Sequence, residues 1–137
     1  MLRFEVIDHT ADVGIIAYGS DLEEAFANAA YGMFSLIADL EEVREKVSRK
    51  VDIQSTDQEA LLVDWLNELL YLFDVQHIIF KRFKITALSQ KRLQAKVYGE
   101  KIDTSRHQLK TAVKAATYHM LKIEMNQGVK VQFILDI

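Results

Sequence analysis

Residues 118–135, YHMLKIEMNQGVKVQFIL, read as two β-strands closed by a tight link at Asn126-Gln127-Gly128. Alternating segments around an Asn…Gly turn are a hairpin signal, because those residues tolerate the left-handed backbone that a tight antiparallel turn requires. A second hairpin signal lies upstream, where residues 80–88 and 92–98 flank Ser89-Gln90. At the other end of the chain, Phe4, Val6 and residues 13–18 are β-branched or aromatic and sit on either side of a polar loop. Strands that come in successive hairpins, rather than alternating singly with helices, predict an α+β layer structure with a largely antiparallel sheet.

Two main helices are predicted between these strands. Ser20 and Glu23 form a capping-box pattern, followed by Leu22, Ala25, Phe26, Ala29, Met33 and Ile37 at helical spacing. Thr56 and Glu59 repeat the signature, with Leu61, Leu62, Trp65, Leu66, Leu69, Leu70 and Phe73 forming a broad apolar face behind them. A shorter helix is predicted over residues 105–116, where Leu109, Ala112, Val113 and Ala116 share a face. Val43, Val47 and Val51 punctuate a charged stretch that reads as an edge strand, its charges discouraging pairing with another chain. With no proline, repeat or linker-like segment, one domain over residues 1–137 is expected.

Composition narrows the function. The absence of cysteine excludes disulfides, thiol catalysis and thiolate metal sites. The N-terminal residues lack the pattern of a secretory signal, and the most apolar stretch, 60–73, is broken by Asp64, Asn67 and Glu68. A cytoplasmic protein without membrane contact is expected. The five glycines form no phosphate-binding loop, which removes ATPase and dehydrogenase readings. A net charge of −3 argues against a protein that lives on phosphate contacts, so any contact with RNA is expected to be indirect, through a protein partner.

Three segments carry side chains suited to chemistry. Asp8, His9, Thr10 and Asp12 crowd one loop; such residues often serve local turn hydrogen bonds, and aspartate oxygens also suit a hard cation. One loop cannot surround such an ion, so a second segment is required. Asp136, immediately before Ile137, supplies it if the last strand lies beside the first. Lys114, Thr117, Tyr118 and His119 form the third group, with Glu100, Asp103 and His107 just upstream; a lysine, a histidine and carboxylates can do acid–base work only if they converge. No catalytic residue is assigned from these segments.

Taken together and in order, the blocks HTADVG at 9–14, LLVDWLNELLYLFD at 61–74, GEKID at 99–103 with His107, KAATYH at 114–119 and ILDI at 134–137 resemble the archease family along essentially the whole chain. The resemblance implies a divalent metal site, Ca²⁺ or another cation such as Mg²⁺ or Mn²⁺, with ligands falling on Asp12, Asp136 and the main-chain oxygen of Ile137. It implies an accessory protein rather than an enzyme, one that promotes guanylylation and repeated turnover of the GTP-dependent RNA ligase of tRNA splicing. An alternative implied role is that of a chaperone or specificity factor for a tRNA methyltransferase. His9, Lys114 and His119 are carried as partner- or phosphate-facing residues.

Overall fold

The computed structural model describes residues 2–8 and 11–137. Among the described residues, seven strands form two antiparallel sheets. The first contains β1 (Phe4–Asp8), β2 (Asp12–Gly19), β6 (Ala115–Met125) and β7 (Val129–Asp136), in the order β1-β2-β7-β6. The second contains β3 (Val47–Gln54), β4 (Ile78–Leu88) and β5 (Arg92–Lys101), in the order β3-β5-β4. Helix α1 (Leu22–Ile37) packs on β2 of the first sheet and β4 of the second, while α2 (Gln58–Gln76) packs on β6 and the second sheet. The fold is the α+β arrangement expected, and both hairpins close where the turn residues predict.

One continuous apolar core joins the layers, because α1 and α2 each turn buried faces to both sheets. Phe34 lies at its centre, with Phe80 edge-on at 5.8 Å and Phe73 edge-on at 6.2 Å between ring centroids. Trp65 is fully buried and satisfies its indole N–H by donating to the carbonyl of Phe26 at 3.0 Å, which ties α2 to α1.

Both helices start one residue later than the hydroxyl-based boxes suggest. Asp21 caps α1 by accepting from Glu24 N–H at 2.8 Å, and the Glu24 carboxylate accepts from Ser20 N–H at 2.7 Å. Asp57 caps α2 in the same way, accepting from Ala60 N–H at 2.8 Å. An aspartate carboxylate caps as well as a hydroxyl and carries the charge that the positive helix end favours.

The predicted helix over 105–116 does not form. The short helical piece among the described residues is instead a single 3-10 turn at Leu40–Glu42. Asp103 redirects the chain: its Oδ1 accepts from Ser105 N–H at 3.0 Å and Ser105 Oγ at 2.6 Å, and its carbonyl accepts from Arg106 N–H and His107 N–H. This local turn competes with helical hydrogen bonding and wins. The chain then runs extended past the end of α1, where Lys110 N–H and Thr111 N–H donate to the carbonyls of Ile37 and Leu36.

Candidate metal centre

Strands β2 and β7 pair antiparallel with Asp12 directly opposite Asp136, and β7 pairs with β6 so that Asp136 also faces Ala115. Directly paired residues in an antiparallel sheet point to the same face, with Cβ atoms about 5 Å apart. Two carboxylates therefore share one face at the end of the sheet, and the third residue on that rung is too small to crowd them. Asp12 is half-buried with its Oδ1 shielded from solvent, whereas Asp136 and Ile137 are exposed.

Local features hold this rung in place. Asp136 uses its carbonyl to accept from Lys114 N–H at 2.8 Å. Thr117 Oγ1 donates to the Ile134 carbonyl at 3.0 Å. Asn67, on α2, reads the start of β6 by accepting from Ala116 N–H at 2.8 Å and donating to its carbonyl at 3.2 Å. Gly14 lets three strands close up beside the rung, since a Cβ there would lie 3.1 Å from Ile134 Cδ1 and 3.4 Å from Ile7 Cβ.

The fold thus brings together Asp12, Asp136, Ile137 and the backbone of Lys114, whose side chain is exposed. Asp8 ends β1 opposite Val13, next to this rung. His9 lies outside the described residues, as does Thr10. His119 is not brought in: it sits in an irregular stretch of β6 between Thr117 and Lys122, is exposed, and its N–H donates to Thr117 Oγ1 at 3.3 Å. Lys114 does not end a helix but precedes β6.

Among the described residues no three His, Cys, Asp or Glu side chains gather to hold a metal. Side chains alone therefore do not close a cage. Two aspartates and a neighbouring main-chain oxygen nevertheless fit a hard cation, which accepts oxygen donors and leaves remaining positions to water or to a partner.

The polar group upstream has a different character. Glu100 and His107 are buried, and the Glu100 carboxylate accepts from Arg44 N–H at 3.0 Å, from His107 Nε2 at 3.0 Å, and from the Arg106 guanidinium. His107 Nδ1 accepts from Asp103 N–H at 3.0 Å, which places the ring proton on Nε2, facing Glu100. Burial alone pushes the Glu100 carboxyl up, but the donors from Arg44, Arg106 and His107 more than reverse this and hold it at about 2, against an ordinary 4.5. With its partners already engaged and Lys114 elsewhere, this cluster fastens the 100–107 loop. Sequence reasoning saw these residues but not their convergence, and it did not single out Asn67 or the Arg106–Glu100 pair.

The Archease protein family profile matches residues 4–137. Archease of Sulfolobus acidocaldarius is 42% identical over the full length of both chains, and archease of Methanothermobacter thermautotrophicus is also 42% identical with both chains fully covered. The solution structure of a Methanobacterium thermoautotrophicum protein superposes with a TM-score of 0.83 at 40% identity, covering 98% of this chain and 99% of that one. A crystal structure of a Thermotoga maritima archease, described as a possible chaperone, shares the fold with a TM-score of 0.63 at 22% identity, covering 96% and 94%. With the motif order, the sheet topology and full-length kinship in agreement, this chain belongs to the archease family.

Proposed function

We propose that this protein is a metal-binding accessory factor that activates the GTP-dependent RNA ligase of tRNA splicing in the cytoplasm, promoting ligase guanylylation and repeated turnover. The observation that carries this reading is the direct register of Asp12 with Asp136. Like charges placed directly opposite in a sheet are destabilising, and a bound divalent cation would offset that repulsion. Asp12, Asp136 and the main-chain oxygen of Ile137 would hold it; oxygen donors suit Ca²⁺, and Mg²⁺ or Mn²⁺ share that chemistry. Such a cation supplies positive charge and Lewis acidity toward a partner's phosphate or carboxylate oxygen.

The chain's own residues supply position and access. The β2–β7 ladder fixes the two carboxylates, Ile137 is exposed next to them, and the Lys114 backbone N–H donates to the Asp136 carbonyl while its side chain is exposed to solvent. Exposed Tyr118 and His119 follow on β6 and would extend the contact. The description of the Thermotoga maritima protein as a possible chaperone favours one further reading, a chaperone-like role, whose client would be a tRNA methyltransferase if it acts as a chaperone or specificity factor for one.

Multiple-turnover ligation by the cognate ligase, with wild type or Asp136→Asn added, tests the proposal. Wild type is expected to stimulate turnover and the variant to lose most of that effect. Full stimulation by a folded Asp136→Asn protein would remove the metal site from the mechanism. A pull-down from native lysate separates the two partners, since each reading predicts a different captured enzyme.

A further inference from the structure

The β3-β5-β4 sheet turns one face to the helices and the other to solvent. Val51, Leu93, Ala95, Val97 and Phe83 are buried on the inner face. On the outer face, Lys50 of β3 pairs with Lys96 of β5, and Lys96 pairs with Lys84 of β4. Three lysines therefore occupy one rung, across two inter-strand gaps of about 4.8 Å each. The next rung carries Tyr98 between Ser48 and Arg82, with the Arg82 guanidinium 3.9 Å from the Tyr98 ring centroid and Lys96 Nζ at 5.5 Å. The acids beside these rungs are already engaged: Glu45 with Arg82 at 2.6 Å, and Asp52 with Arg92 at 2.7 Å. Among the described residues no ion pair is recorded for Lys50, Lys84 or Lys96.

Like charges on one rung weaken a sheet, so the arrangement needs a reason. Edge protection explains a lysine on β3 or β4, the two edge strands, because charge there blocks pairing with another chain. It does not explain Lys96, on the central strand β5, where no edge exists. The chain as a whole is acidic, so the concentration of bare positive charge on this face runs against the overall balance.

We propose that this outer face binds the phosphodiester backbone of a single-stranded nucleic acid. The proposal goes beyond the metal-centre reading and does not rest on it. A flat sheet face cannot enter a duplex groove as a helix or ribbon does. An open sheet with cationic side chains beside an aromatic ring is, however, a platform on which single strands lie. A lipid surface fits poorly, because no aliphatic side chain stands on the Lys50–Lys96–Lys84 rung or the Ser48–Tyr98–Arg82 rung to enter a bilayer.

The test is fluorescence anisotropy of a labelled mixed-sequence single-stranded RNA oligonucleotide titrated with the full chain between 50 and 200 mM salt. Wild type is expected to bind with steep salt dependence. Lys50→Gln/Lys84→Gln/Lys96→Gln is expected to weaken binding about tenfold or more at low salt and to flatten the log–log salt slope by about 2, at roughly 0.7 per phosphate contact. Lys110→Gln/Lys122→Gln/Lys130→Gln, with the same charge change on exposed positions elsewhere, is expected to bind nearly as wild type does. Lys96→Gln alone should give about a third of the slope change, which keeps the test open if the triple variant aggregates. Absence of salt-sensitive binding by wild type, or an equal loss in the control triple variant, would overturn the proposal. So would displacement of the RNA by polyglutamate at equal charge concentration, which would assign the face to an acidic protein.

Discussion

Replacing Glu100 by Gln probes the fastening of the loop that leads into β6, and the structure sets its size. The carboxylate uses both oxygens: Oε1 accepts from Arg44 N–H and His107 Nε2, and Oε2 takes the Arg106 guanidinium. A glutamine has one acceptor oxygen, so in either orientation its NH₂ group faces a donor. Removing one member of a buried ion pair typically costs about 3–5 kcal/mol. The shift of the Glu100 carboxyl from 4.5 to about 2 sets an upper value of about 3 kcal/mol. The Arg106 side chain retains 26% exposure and can recover some hydration, so about 2 kcal/mol is the expected loss at neutral pH.

The pH dependence follows from the direction of the shift. A carboxyl depressed in the folded state contributes fully above its unfolded value of 4.5, and the contribution disappears as pH falls through about 2. Urea denaturation of wild type and Glu100→Gln at pH 7 and at pH 3 measures this. The gap between the two proteins should be largest at pH 7 and should narrow markedly at pH 3. A gap at pH 7 below about 0.5 kcal/mol, the range of ordinary surface substitutions, would refute the assignment of this cluster as a fastening. So would a gap that stays constant with pH.

Two further outcomes are expected. Without divalent metal, Asp136→Asn should stabilise the protein by a few tenths of a kcal/mol up to about 1 kcal/mol, because one of two opposed charges is removed. In thermal melts, Ca²⁺ at about 100 times its Kd should stabilise wild type by about 2.7 kcal/mol and should leave this variant almost unmoved. Gly99→Ala should destabilise by more than about 2 kcal/mol, since the added Cβ would sit 2.0 Å from the Ile79 carbonyl oxygen and only backbone movement can relieve that; chemical denaturation midpoints measure it.

The hairpins and both main helices were legible because period-two and period-three-to-four patterns state their own burial. The helix starts were displaced by one residue because Ser20 and Thr56 stand beside aspartates that compete for the same amides. The expected helix over 105–116 failed for a reason also written locally. Asp103, Ser105 and His107 form a turn of their own, and Leu109 remains 47% exposed rather than joining Val113 in the core. Of the candidate site, the residue types were legible and their meeting was not. Whether Asp136 faces Asp12, or lies one position away on the opposite side of the sheet, depends on strand register, and register is a long-range property. The lysine rung was invisible for the same reason, since Lys50, Lys84 and Lys96 come from three separate strands and only their pairing makes them neighbours.

The placement of β7 carries a consequence for how the protein comes into being. It is the last of the described strands in chain order, yet it occupies an interior position between β2 and β6. On the ribosome, β1 and β2 emerge well before β7 and must wait, with one side of β2 unpaired, until that strand is made. Docking of that strand joins segments more than a hundred residues apart, a contact of high sequence separation that slows folding. The Asp12–Asp136 rung therefore exists only once β7 has been made and docked, and a chain cut before β7 lacks it altogether.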